Sequence, residues 1–445
     1  MSGIDYTSPL NDLLSPYNRP APRVILFKEA NIVDVEKGQV ISGRDVLLHG
    51  GQIVSIEGPM PPDIAAEAVM VDSSNFYLCP RLIDCHCHLN LPPGPPNLTG
   101  IVQASRAEVA IRQPLLCRDI LNRGFTTIRD PAGSSLAIKQ AIADGVIAGP
   151  RVFFAGMALS QTGGHGDMRT SHTAAESGDC CGGQIFANVA RVVDGVPQCL
   201  RWAREELRCG ADFLKIMAGG GVASPTDHID HTQFTAAEIE AITTVAKNAG
   251  TYVTAHAYTP EAIRLAVDNG VMGIEHGNLI DEATAQYMAE RGVYLTPTLA
   301  TYAEMASDKW AGFLPPSLMP KNEIVLRSGL ESLRIASKSG VVLCYGTDLI
   351  GPLHIAQARG LRLFSKVLGP VETLRTATIN AAKLLRKENM LGQIKPNFAA
   401  DLLVLNANPF ENITIFERPK EHLLAVIKDG RVESSRLHAL AKEQF

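Results

Sequence analysis

The chain has 445 residues, 46% of them hydrophobic and 20% charged, with a formal net charge of −5. That balance is ordinary for a globular protein, and it excludes a basic nucleic-acid face, a polybasic membrane patch and any apolar run long enough to span a bilayer. The opening MSGIDYTSPLNDLL lacks the basic start and apolar core of a signal peptide, and the nine cysteines form an odd set without a CxxC pair, so a reducing cytoplasm and no disulfide framework are expected.

In chain order, residues up to about Arg23 are Pro-rich and polar and read as an extended arm. Three short β-type runs follow, VILFKEANIVD, DVLLHGGQIVSIEG and AVMVDSSNFYLCP, with Gly50 and Gly51 marking a hairpin turn. The far end has the same texture: DLLVLN (Asp401 to Asn406) and LAVIKD (Leu424 to Asp429) read as strands, with Gly430 at a turn. The two ends are therefore expected to complete one small β-sandwich domain, residues 1–79 with 395–445, around an inserted middle, residues 80–394.

In that middle, strands alternate with helices. Strands are predicted at Leu78 to His88, Thr126 to Asp130, Val152 to Ala158, Phe213 to Met217, Tyr252 to His256, Gly273 to His276, Tyr294 to Pro297 and Val341 to Thr347. Helices are predicted at Ala236 to Asn248 after a Thr235 cap, at Pro260 to Asn269 before Gly270, and at Asp281 to Arg291 before Gly292. Eight such units suit an α/β fold of the (β/α)8 TIM-barrel type; a doubly wound open sheet is the alternative, but no GxGxxG follows the first strand. The Gly- and Ser-rich excursion from Gln161 to about Asn188 reads as a lid, and its adjacent Cys180 and Cys181 as ordinary loop thiols rather than a zinc or redox pair.

Active sites of such barrels lie at the C-terminal ends of the strands. There the sequence places His86 and His88 (LIDCHCHLN), Lys215 (FLKIM), His256 (TAHAY), His276 (IEHG) and Asp348 (YGTD). In a strand, His86 and His88 share one face, and Cys85 and Cys87 point the other way. Each residue has an unremarkable explanation by itself: Lys215 can snorkel outward, His276 can be a core histidine beside Glu275, and Asp348 can cap a helix. Together, burying so many polar groups without a cation or mutual pairing is costly, which points to a metal centre.

The motifs PRLIDCHCH, GFTTIRD, GPRVFFAGMALSQTGGHGD, FLKIMAGGGVASP, TAHAYT, GIEHG, TPT, GTD and KPNFAADLLVLNANP span nearly the whole chain. By them it resembles the amidohydrolase superfamily of metal-dependent hydrolases, in the branch with imidazolonepropionase-like proteins, Xaa-Pro dipeptidases and ochratoxinase-like amidases. Two departures stand out: Arg81 where the family usually has Gly, and AGGG at Ala218 to Gly221 in place of a Ser-containing turn.

The resemblance implies a (β/α)8 barrel holding two divalent metal ions, zinc by default with manganese, iron or cobalt as alternatives. It implies that Lys215 is carbamylated and bridges them, that His86, His88 and Asp348 complete one site, and that His256 and His276 complete the other. Asp348 would orient a hydroxide shared by the metals, take its proton and protonate the leaving amine. His165 would donate to the carbonyl oxygen, and Tyr258 would bind a substrate carboxylate.

The His228/His231 loop (SPTDHIDHTQF) is read as a polar substrate-side loop rather than a second metal site. The expected activity is hydrolysis of an amide bond in a small N-acyl amino acid or dipeptide-like substrate. The alternatives are hydrolysis of cyclic amides or lactones, a lyase on the same centre, and a metal-free scaffold. A homo-oligomer is expected, with neither nucleic acid nor membrane as partner.

Overall fold

The computed structural model describes residues 19–442 apart from 59–63, 65–66, 173–184 and 187–188. Cys180, Cys181 and much of the predicted lid lie outside the described residues. Among the described residues, no helix is long and apolar enough to cross a membrane.

The chain ends do meet in one sheet. Its strands run in the order Arg431–Ser435, Leu423–Lys428, Leu402–Leu405, Tyr77–Pro80, Ile25–Asp34, Gln39–His49 and Gln52–Ile56, with Val69–Asp72 pairing Ile25–Asp34. Tyr77–Pro80 joins the halves, lying antiparallel to Leu402–Leu405 with Cys79 opposite Leu403. The Gly50–Gly51 turn closes the predicted hairpin; both glycines have positive φ, as a tight two-residue turn requires.

The middle of the chain is parallel. Leu82–Asp84, Phe125–Asp130 and Arg151–Phe154 form one run of paired strands. Ala158–Ser160, Leu214–Met217, Val253–Ala257, Gly273–His276, Tyr294–Thr296 and Val342–Leu343 form another. Hydrogen bonds link the two runs: Asp212 N donates to Phe154 O at 2.8 Å, and Cys85 N donates to Tyr345 O at 2.7 Å. The strands are almost wholly buried on both faces, which is why they read as near-continuous apolar runs.

Helix boundaries follow their caps. Ala236–Asn248 starts in a capping box, Thr235 accepting from Glu238 N while the Glu238 carboxylate accepts from Thr235 N. Pro260–Asp268 carries Pro at its first position behind Thr259.

Three predicted strands are cut short. Leu78 to His88 is two strands, one in each sheet, changing over at Arg81. The second ends at Asp84, whose buried carboxylate accepts from His86 N at 3.1 Å and bends the chain out of the ladder. Val152 to Ala158 breaks at Gly156, where φ is +73°. Val341 to Thr347 keeps only Val342–Leu343, because Thr347 N and Oγ1 bond back to Asp84 at 3.1 and 2.6 Å.

Arg81, the departure flagged at the first strand, has a structural role. It is buried and ion-paired with Asp401, which also takes Arg151 at 3.2 Å and the Thr126 hydroxyl at 3.2 Å. Arg151 reaches Asp429 as well. This matched cluster joins the sheet of the chain ends to the entry side of the parallel strands.

Candidate metal centre

Of the six predicted donors, the structure brings His86, His88, His256, His276 and Asp348 together, while Lys215 is the second residue of Leu214–Met217, the strand paired with the one that carries His256. Donor atoms of His86, His276 and Asp348 all lie within 4.8 Å of one another. His88 Nε2 is 3.0 Å from Asp348 Oδ1, and His86 Nε2 is 3.4 Å from the same oxygen. The His256 and His276 rings are 4.5 Å apart, centre to centre. The tightest trio thus crosses the predicted division of ligands, taking His276 from one set and His86 and Asp348 from the other.

Strained backbone delivers two of these side chains. His276 and Asp348 have φ of +74° and +53°, a left-handed conformation unusual for residues with a Cβ. Gly346 permits the close approach. A side chain there would press on Thr296 and His86. Gly221, in the AGGG turn, is required for a similar reason, because a Cβ would overlap the His165 ring.

Each histidine is oriented by its other nitrogen. His86 Nδ1 lies 2.7 Å from Glu275 Oε2 and donates to it, which turns Nε2 toward Asp348. Glu275 is itself pinned by Arg129 Nη2 at 2.5 Å and by the Thr254 hydroxyl. His276 Nδ1 is 2.6 Å from Thr298 Oγ1 and 3.0 Å from the Tyr302 hydroxyl, leaving Nε2 free. His256 Nε2 meets Gly220 O at 2.9 Å, so Nδ1 is the nitrogen left for a cation.

The electrostatics favour a cation. Burial disfavours a charged His88, but Asp130 and Asp348 outweigh it and raise the imidazole to about 10. Burial also raises Asp348, yet contacts with His86, His88 and His276 hold it well below the usual carboxylate range. Burial and Arg129 lower Lys215 to about 8 against the pull of Glu275 and Asp348. Its amine makes no hydrogen bond among the described residues. These donors fit a divalent metal: carboxylate and imidazole are its ordinary ligands, and a cation would take the place of the proton on His88.

His165 and Tyr258 line a cavity of about 100 Å³ beside these donors. The Ser224 hydroxyl donates to Asp227 Oδ1 at 2.5 Å, so at 2.8 Å it accepts from His165 Nδ1. A neutral His165 then presents a bare Nε2. It accepts there, and the predicted donation to a carbonyl oxygen requires the doubly protonated ring. Burial pushes His165 down, with Asp227 opposing.

The Tyr258 hydroxyl lies 2.9 Å from that of Tyr302. Leu91, Leu98, Met168, Met217, Met305 and Ile350 supply the apolar wall. No Lys or Arg among the described residues lines this cavity. Of the SPTDHIDHTQF loop, Asp227 is buried and ion-paired with Lys321 at 2.9 Å. His228 and His231 are exposed, with rings 4.9 Å apart, and do not join the cluster.

The chain matches a family model, the amidohydrolase family, over residues 77–432. The chain belongs to the amidohydrolase family. It is a hydrolase acting on carbon–nitrogen bonds, and the family generally uses divalent metal ions.

Among curated relatives, the ochratoxinase of Aspergillus niger is 32% identical over 360 residues, covering 77% of this chain and 73% of that protein. Among solved structures, a prolidase complexed with N-methylphosphonate-L-proline superposes with a TM-score of 0.87 at 38% identity, covering 95% of this amidohydrolase and all of that chain (100%). A Xaa-Pro dipeptidase with methionine bound in its active site gives 0.81 at 29% identity, covering 92% and 99%.

Sequence reasoning missed Arg129, Tyr302, Ser224 and Lys321, and named Asp227 only as part of the polar SPTDHIDHTQF loop and Glu275 only as a neighbour of His276. The signal for Arg129 was present in GFTTIRD: a buried charge in an apolar strand demands a partner.

Proposed function

We propose that this amidohydrolase cleaves the amide bond of a small N-acyl amino acid or dipeptide-like substrate at a binuclear metal centre. The convergence of His86, His276 and Asp348 donors carries the reading. His86, His88, His256, His276 and Asp348 would hold the ions together with Lys215 as its carbamate. Burial supports the carbamate, since it leaves Lys215 more of the free amine that carbon dioxide requires. Two divalent ions would bring a water into the range of hydroxide at neutral pH and polarise the scissile carbonyl.

The chain's own residues do the rest. Asp348, set between His86 and His88, takes up a proton and returns it to the leaving amine. His165 Nε2 accepts a hydrogen bond from the substrate. Tyr258 and Tyr302 present paired hydroxyls to a substrate carboxylate, the polar groups nearest that role in a cavity without Lys or Arg among the described residues. The Met- and Leu-lined wall excludes water and suits an apolar side chain.

The supporting architecture in this reading is a (β/α)8 barrel over residues 80–394. It is closed where Cys85 meets Tyr345 and flanked by a β-sandwich of 1–79 with 395–445. The same reading makes the protein a cytoplasmic homo-oligomer. The test is a screen of N-acyl amino acids, Xaa-Pro dipeptides, cyclic amides and lactones against metal-loaded protein, with products identified by mass spectrometry. Release of a free amino acid supports the reading. Turnover of lactones or cyclic amides alone overturns the substrate class, and activity undiminished by exhaustive chelation overturns the metal.

A further inference from the structure

A groove of about 540 Å³ lies away from the metal centre, between the end of the helix Arg106–Asn122, the segment 355–359 and the strands Leu423–Lys428 and Arg431–Ser435. Its size falls in the ordinary range of ligand pockets, about 300–1,000 Å³. Its charges are unbalanced. The acids are already engaged: Glu304 pairs with Arg359 at 2.5 Å and accepts from Trp310 Nε1 at 2.9 Å, Glu417 pairs with Arg362 at 2.8 Å, and Asp119 lies 3.9 Å from Arg118. The cations Arg123, Lys309, Lys420 and Arg436 line the groove, and none has a carboxylate within 4.0 Å among the described residues.

Two of these cations are held in place. Arg436 donates from Nε and Nη2 to Leu423 O at 3.1 and 2.8 Å. Arg123 donates from Nε to Gln357 Oε1 at 3.0 Å, and its buried Nη2 has no hydrogen-bond partner. Ile355 and Phe416 give the groove an apolar floor, and Ile355 is 64% exposed. Arg436 also donates to Lys420 O and Pro419 O, so the groups left for a ligand are the Lys309 and Lys420 ammoniums and the part-matched Arg123 guanidinium, which beside an apolar floor suit a dianion carrying a flat apolar body.

We propose that this groove is a second ligand site, for an organic phosphate with a ring-bearing body, and that its occupancy is felt at the catalytic cavity. The link is the short helix Leu299–Met305. Glu304 and its partner Arg359 lie on the groove, and Thr301, Tyr302 and Met305 line the cavity. A phosphate in the groove competes with Glu304 for Arg359, and so acts on the element that holds Tyr302 beside Tyr258.

The binding test stands apart from the proposed substrate. Calorimetric titration of the full chain uses adenosine monophosphate, inorganic phosphate and adenosine as probes. The expected order is adenosine monophosphate first, inorganic phosphate weaker by about tenfold or more, and adenosine undetectable. The double variant Lys309→Glu/Lys420→Glu changes two exposed side chains, so folding, followed by circular dichroism, is expected to be retained. It is expected to weaken the nucleotide by about a hundredfold. No nucleotide heat at millimolar concentration, or equal affinity in the double variant, overturns the site. With a hydrolysed amide in hand, saturating nucleotide is expected to shift KM by about fivefold or more in the parent and not in the variant; an unmoved parent KM overturns the coupling.

Discussion

Two charge clusters sit at opposite ends of the parallel strands, and they are built on different logic. At the entry side, Arg81 and Arg151 face Asp401 and Asp429, cation against anion. At the exit side, four histidines and an aspartate come together, two of the five on left-handed backbone. Charges paired cation to anion serve as a joint between sheets. Unmatched donors that need strain to assemble mark a place prepared for something not part of the chain.

The comparison can be broken most forcefully at the exit side. Asp348→Asn removes the proton carrier while keeping its size, and turnover is expected to fall by about 10²–10⁴-fold with metal content near parental by elemental analysis. Near-normal turnover would remove Asp348 from the chemistry.

At the entry side the expected loss is of stability. Arg81→Met strands part of the Asp401 charge in a buried joint and is expected to cost about 3 kcal/mol in denaturant unfolding, the low end for a broken buried pair because Arg151 remains at 3.2 Å. Activity per folded molecule should hold. The double variant Arg81→Met/Asp401→Leu should recover part of the loss; a double variant as weak as the sum of its parts would show that the joint is not a paired one.

A third measurement concerns His354, which is buried with Nε2 donating to Leu91 O at 3.2 Å. Burial, reinforced by Arg123 and His88, lowers it to about 3 from the ordinary 6.5. The unfolded chain therefore binds the proton first, and stability should fall as pH drops from about 6.5 toward 3, by as much as about 1.4 kcal/mol per pH unit. His354→Gln should flatten that slope in urea titrations at stepped pH; an unchanged slope would place the acid sensitivity elsewhere. The smallest expected effect is that of Tyr302→Phe, which removes one hydroxyl from the pair with Tyr258. KM should rise by roughly 1 kcal/mol equivalent with kcat little changed. A fall in kcat alone would tie Tyr302 to His276 rather than to substrate.

The sequence made the donors visible because strand ends are predictable places. Apolar runs ending in His86, His256, His276 and Asp348 announce themselves, and the β/α alternation orders them. The supporting residues were not legible, since their meaning is a cross-chain distance. Nothing near Arg129 says that its partner is Glu275, or that Tyr302 reaches back to His276. Strand lengths failed for a related reason. Asp84, reaching Thr347 and Gln357, spends its carboxylate on a distant segment, and the ladder stops there. Arg81 could be noticed as a departure, but its role depended on Asp401, at the other end of the chain.

The pairing of Tyr77–Pro80 with Leu402–Leu405 has a consequence for how the protein comes into being. The opening strands leave the ribosome long before the segment that completes their sheet exists, so an apolar edge waits for a late partner throughout synthesis. The parallel strands between them can settle first. The terminal sheet then acts as a clasp, shut by the last strands to arrive.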